Sequence, residues 1–370
     1  MRIGARGAAP LAALVLVACP GPPPAPDIPP CGPDTLATAP PLDMLDLGAV
    51  GPMGSVDPSR GQIFPSASLS FFTRSVDPRL PGGEPARVPV VAPGRIWLQR
   101  ARRSSFIGLP DEFSVDFRVC AEVKWTLKHL VIASPDVRAL ADDDPGHCGT
   151  FVGDEASFCE GTSPGIEMAA GTELGLAGSV ANPSLDVATH DMRAQPVSFA
   201  GGRLERFTCP LEVFDPATSG ALRPLLGAPD GRRRTAEPLC GEYMQDVRGS
   251  AQGGWVGTSD GTRLALVHDN VDPGVAVISL SVAFGEARAW RFTPTHAGNI
   301  DRDFRELTDD GAVYCYDISS GDTPPSIMLV QADGLDGLRF ERQDAAACGA
   351  GPWTFHSSFS NSFVRGGGGG

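Results

Sequence analysis

Histidine and carboxylate side chains carry most proton-transfer and metal chemistry. This chain uses histidine sparingly: it has six in 370 residues, and the first is His129. Any site built on imidazole must therefore draw on residues from 129 onward. The densest stretch is Leu185-Asp186-Val187-Ala188-Thr189-His190-Asp191. On a strand, Asp186, Ala188 and His190 share one face. Two readings follow, a two-ligand metal site or, more commonly for such spacing, a hydrogen-bonded polar pair. Asn299-x-Asp301-x-Asp303 copies the first donors of a calcium loop, but Phe304 replaces the required glycine and no glutamate closes it, so a polar turn is expected. Asp142-Asp143-Asp144-Pro145 reads as a solvated loop, with weak calcium binding as its alternative. Arg232-Arg233-Arg234 suits an exposed loop, or contact with lipid or lipopolysaccharide phosphates. No G-x-S-x-G elbow, P-loop or dinucleotide fingerprint is present.

The N-terminus carries a different chemistry. Arg2 and Arg6 precede an apolar stretch, Ala8 to Val17, that is too short to span a bilayer and has the size of a signal-peptide core. It ends in Leu16-Val17-Ala18-Cys19, which resembles the bacterial lipobox. That resemblance implies a lipoprotein: residues 1–18 are a signal peptide, and Cys19 is lipidated. Each acyl CH₂ contributes about 0.8 kcal/mol, so two or three chains hold a protein on a membrane almost permanently. Pro20, rather than aspartate, follows the cysteine and points towards the outer membrane.

Eight cysteines remain, an even number that suggests disulfides in an exported chain. No CxxC pair argues for a zinc ribbon. Closeness in sequence suggests Cys148–Cys159 and Cys315–Cys348, with a free thiol as the competing reading for any cysteine.

The elements that would hold these groups are mainly β. Gly (45) and Pro (35) are abundant, long helical patterns are missing, and the net charge of −14 argues against nucleic-acid binding. Phe113, Val115, Phe117 and Val119 alternate with polar residues, as do Ala276, Ile278, Leu280, Val282 and Phe284, the period of a half-buried strand. Further strands are expected at Val88 to Leu98, broken at Ala92-Pro93-Gly94, and around Val123, Leu264, Val313 and Ile327. Pro210 to Leu226 suggests a short helical connection, with Pro216 near its start. The expected organisation is a Pro-rich tether over 19–44 that packs no core, a first β domain over 45–235, a barrel- or sandwich-like β domain over 236–365 and a glycine tail over 366–370. Cys240 to Asp246 and Gly249 to Trp255 suit a tight junction between domains, with a ligand groove as the alternative.

Three stretches of the first region resemble lysostaphin-type (LytM, duplicated hybrid motif) zinc endopeptidases, which cut peptidoglycan cross-links. They are Gly61-Gln62-Ile63-Phe64-Pro65-Ser66-Ala67, then Val90-Val91-Ala92-Pro93-Gly94-Arg95-Ile96, and then His129-Leu130 with Met168 to Gly178. The resemblance covers about residues 45–200 and implies an antiparallel β-sheet domain. It also places Gln62 and Ala67 where the family has its zinc-binding His and Asp. Ser184-Leu185-Asp186 replaces the family's H-x-H, and His129 matches a histidine that stabilises the transition state. Of these metal positions only Asp186 is a strong ligand, and a catalytic zinc needs about three protein ligands.

The expectation is therefore an envelope lipoprotein with a catalytically degenerate peptidase-like domain, carrying no cofactor and binding peptidoglycan or a protein partner such as an amidase. One alternative is an active zinc peptidase with a shifted site using His129, Asp186 and His190. The other is a C-terminal β domain that holds a small apolar or sugar ligand.

Overall fold

The computed structural model describes residues 26–32, 37–74, 86–143, 147–150, 156–179, 182–199, 203–281, 287–318, 325–356 and 361–365. The signal segment, Cys19, Val282, Phe284, Asp144-Pro145 and the glycine tail lie outside these residues.

The protein is mainly β: among the described residues 47% lie in strands and there are two short helices. The first unit runs β1 (Leu47–Gly51), β2 (Ser68–Thr73), β3 (Val88–Val91), β4 (Ile96–Phe106), β5 (Glu112–Cys120) and β6 (Val123–Ala133). Helix α1 (Pro135–Asp142) follows, then β7 (Cys148–Thr150), β8 (Ala156–Met168), β9 (Glu173–Ala177) and β10 (Ser184–Asp191). A hairpin of β11 (Val197–Phe199) and β12 (Arg203–Glu205), then β13 (Phe207–Thr208), complete it. The main path of the sheet is β1-β2-β10-β6-β5-β4-β8-β7, with β13 on β10 and β9 joining β3 to β6. Its core includes Phe71, Phe117, Trp125, Leu127 and Leu185, all fully buried. Pro93 and Gly94 break the chain between β3 and β4, because proline supplies no ladder donor. The leucines after Pro210 form two 3₁₀ turns around α2 (Pro216–Leu222), capped where the Asp215 carboxylate accepts the Thr218 N–H at 2.8 Å.

The second unit runs β14 (Gly253–Gly257), β15 (Arg263–His268), β16 (Ala276–Leu280), β17 (Arg288–Phe292), β18 (Tyr314–Asp317), β19 (Ser326–Asp333), β20 (Gly337–Asp344) and β21 (Asn361–Arg365). They form one antiparallel sheet in the order β17-β16-β15-β14-β21-β20-β19-β18. One of the two sheets curls as a half-barrel. The second sheet's core is filled by Trp255, Phe304, Tyr316, Phe340 and Phe363. Among the described residues these side chains fill the space that a small-ligand barrel would leave open.

β16 departs from the half-buried expectation, because all five of its residues are buried. Ala276, Ile278 and Leu280 face the core, while Val277 joins Ala265 and Val267 beneath Val56 and Phe64 of the first unit. The Ser279 hydroxyl also donates to the Ile63 carbonyl at 2.8 Å. The loop between β1 and β2 thus covers the face that alternation assigns to water.

The proline-rich run is also corrected. Ala37 and Leu42 are fully buried, Ala37 N–H donates to the Val213 carbonyl at 3.0 Å, and Cys31 is bonded to Cys120. Part of the 19–44 tether is therefore docked: a disulfide and backbone hydrogen bonds supply what its composition lacks.

Four disulfides are present: Cys31–Cys120, Cys148–Cys159, Cys209–Cys240 and Cys315–Cys348. They include both expected pairs and mark an oxidising, extracytoplasmic compartment. Among the described residues no helix is long and apolar enough to cross a membrane.

The junction segment is tight. Gly241 has φ of +79°, and a Cβ there would lie 2.2 Å from the Met53 carbonyl oxygen. Arg365 donates to the Val247, Ser250 and Gln252 carbonyls and stacks over Trp255 at 4.4 Å.

Candidate functional site

The outer face of β2, β10 and β6 carries a cross-strand row. Asp186 is the register partner of Ser70 on one side and of Lys128 on the other. Lys128 is exposed and makes no ion pair among the described residues.

Beyond Lys128 the neighbour of β6 changes from β10 to β9, which pairs from Leu130. On its other edge, β6 places Lys128 and His129 opposite the single residue Ser114, since Leu127 pairs Val115 and Leu130 pairs Phe113. This is a β-bulge. His129 sits in it with φ of +71°, one of two non-glycine residues with positive φ among those described. The bulge lets Leu127 and Leu130 both point into the core and turns His129 towards the outer face. Left-handed backbone costs a non-glycine residue about 1–2 kcal/mol and persists only where surroundings hold it.

Two carboxylates do so. His129 Nδ1 meets Glu112 Oε2 at 3.0 Å, and Nε2 meets Asp186 Oδ2 at 3.5 Å. Asp186 Oδ1 accepts from the Ser70 hydroxyl at 2.7 Å, and Glu112 Oε1 accepts from the Asn182 amide. The Asn182 side-chain Oδ1 in turn accepts from Arg60 at 3.0 Å. Burial alone would push His129 down; the hydrogen bonds and charges of Asp186 and Glu112 outweigh it and hold the imidazole up to about 9. Burial would raise both carboxyls, yet the His129 hydrogen bond and charge keep each below its ordinary value. At neutral pH His129 is therefore an imidazolium that donates from both nitrogens.

This clamp lies on the wall of a cavity of about 420 Å³ between the two units. The first unit contributes Arg60, Gln62, Lys128 and Asp186, and the second contributes Asp269 and Arg291.

A zinc ion of the kind the sequence resemblance implies does not fit these residues. Gln62 spends its amide on the Phe64 carbonyl, and Ala67 packs against the first core. Both Asp186 oxygens are engaged, and a zinc-bound histidine must be neutral at the ligating nitrogen. Among the described residues the one set of three donors within 4.8 Å is Cys31, Cys120 and Glu122, two of which form a disulfide.

The structure brings His129, Asp186 and Gln62 together but leaves His190 out. His190 shares a strand face with Asp186 four residues away, about 13 Å at 3.3 Å per residue, and stacks edge-on with Phe207 at 5.8 Å. A shifted site combining His129, Asp186 and His190 is corrected on that ground.

Asp301 accepts the Asp317 N–H at 2.9 Å, and Asp303 accepts Arg305 N–H at 2.9 Å, so both shape turns. Asp142 pairs with Arg103 at 3.3 Å. Of the arginine cluster, Arg232 and Arg233 are exposed, but Arg234 is buried and donates to the Pro238 and Asn270 carbonyls at 2.8 Å. Glu112, Asn182 and Arg60 were not legible as site residues; only strand register could have found Glu112. Comparison with protein-family models, curated proteins and solved structures gives no match for this chain.

Proposed function

We propose that this is an exported envelope lipoprotein, anchored by lipid on Cys19 to the outer membrane. In this reading its first unit is a LytM-like, catalytically degenerate peptidase domain that binds a cell-wall ligand or an envelope protein. The observation that carries the reading is the Glu112–His129–Asp186 clamp. It occupies the imidazole with two anions, so His129 has no free lone pair for a metal and no basic nitrogen for proton abstraction.

The cleft itself is retained. Its volume of about 420 Å³ falls within the range of small-ligand sites. Lys128, exposed and without an ion pair of its own among the described residues, brings a cation to its wall in a protein of net charge −14. Peptidoglycan stem peptides offer carboxylates, which suit that ammonium. The four disulfides fit the exported setting.

Sedimentation with purified peptidoglycan tests the proposal. The protein should pellet with the wall material, and Lys128→Glu should weaken retention about tenfold. A wild-type protein that stays in the supernatant, or one that cleaves muropeptides, would overturn it.

A further inference from the structure

The segment that joins the two units and the neighbouring loops of the second unit line a second, half-open cavity of about 330 Å³, sharing its Asp269–Asn270 wall with the cleft; Glu237, Glu242 and Arg305 stand at its exposed rim and Arg234 is buried in its wall. Pro273 is its one apolar lining side chain among the described residues. An apolar ligand would strand these polar groups without partners.

Much of the lining is already engaged. Gln245 (8% exposed) accepts the His268 N–H at 2.7 Å, and Gln252 (2%) accepts from Arg305 Nε at 3.3 Å. The Asp303 carboxylate is taken by His268 at 3.2 Å, and that of Asp269 by Arg291 at 3.1 Å. Four charged groups remain with capacity unspent among the described residues. Arg234 keeps Nη2, and Arg305 keeps both Nη groups. The Glu242 carboxylate has no hydrogen bond, and Glu237 uses one oxygen on the Leu239 N–H at 2.9 Å. The free balance is two cations against two anions.

We propose that this cavity binds the zwitterionic head of a small α-amino acid, its carboxylate on Arg305 and Arg234 and its ammonium on Glu242 and Glu237. A lone anion would leave both glutamates uncompensated, and a lone cation both arginines. A neutral sugar leaves all four charges unmatched and finds no aromatic platform apart from the engaged His268. The size agrees: a sphere of about 330 Å³ is about 9 Å across, which holds charges about 2.5 Å apart with a hydrogen bond of about 2.9 Å at each end. Glu237 and Glu242 also border a neighbouring cavity of about 390 Å³ that includes Phe207, Leu211, Leu239 and Met244. An apolar side chain on the ligand would enter there, so leucine is favoured over glutamate. The site is independent of what fills the His129 cleft.

Isothermal titration of the full chain with leucine, N-acetyl-leucine, leucine methyl ester and glucose tests this. Leucine binds, and loss of either charge, as in the acetyl and ester forms, weakens binding about tenfold or more, as expected for a charge-assisted hydrogen bond. Glu242→Gln and Arg305→Gln produce the same loss. Glu242 is exposed and its carboxylate makes no hydrogen bond among the described residues, so its variant folds normally even if the Arg305 variant does not. No heat with leucine, tighter binding of glucose, or leucine binding unchanged by Glu242→Gln would each overturn the proposal.

Discussion

Neutralising both carboxylates that grip His129 should reverse the direction of its titration. In Glu112→Gln/Asp186→Asn each replacement keeps an acceptor oxygen, for Asn182 and Ser70 respectively, but removes the charge. Only burial then acts on the imidazole, and burial pushes it down. The wild-type value of about 9 should fall below the ordinary 6.5. The lift from 6.5 to about 9 corresponds to about 3 kcal/mol of preference for the charged form. Because the folded value is the higher one, this stabilisation is complete below pH 6.5 and is lost as pH rises through about 9. Glu112 and Asp186 behave oppositely: their depressed values contribute fully above the ordinary 4.5 and 3.8 and fade as pH falls through the folded values. The clamp is thus strongest between roughly pH 5 and 6.5. The assay is an NMR titration of the His129 ring protons, paired with thermal unfolding from pH 5 to 10. A wild-type midpoint at or below 6.5, or a midpoint unmoved in the double variant, would refute the reasoning.

Three further outcomes follow from the packing. Gly241→Ala should cost about 2 kcal/mol or more in denaturant unfolding, because its Cβ meets the Met53 carbonyl oxygen at 2.2 Å and φ is +79°; an unchanged midpoint would deny the close approach. Cys31→Ser/Cys120→Ser opens a link between residues 89 apart and should cost about 4.6 kcal/mol by the chain-entropy relation, while non-reducing peptide mapping of the wild type recovers all four pairs. Trp255→Phe should lose about 1 kcal/mol more than Trp125→Phe, since Trp255 Nε1 donates to the Ala251 carbonyl at 2.9 Å and Trp125 Nε1 has no partner among the described residues; equal losses would count against that difference.

Much of the fold was legible because period-two alternation reflects a sheet with one covered face. β5 and β6 show it, and Ala92-Pro93-Gly94 marks the break before β4. The pattern misled at β16, where Val56 and Phe64, more than 200 residues earlier, cover the second face. No local pattern carries such a contact. Composition likewise hid the docking of the proline-rich run, which depends on Cys31 reaching Cys120.

The site was half legible. His129 and Asp186 were singled out by the motif resemblance, and β10 and β6 bring them together. Face-sharing on one strand correctly aligned Asp186 with His190 but says nothing about distance along it. Glu112 was missed because its approach depends on the bulge at Lys128–His129, a φ of +71° that no residue preference announces for histidine.

The central claim is that the cleft holds a proton on His129, between Glu112 and Asp186, rather than a metal ion. Calorimetric titration of chelator-treated protein with zinc at pH 7 tests it most directly. The account predicts no tight binding and no difference between wild type and His129→Ala. Stoichiometric, high-affinity zinc binding with proton release, abolished by His129→Ala, would contradict it.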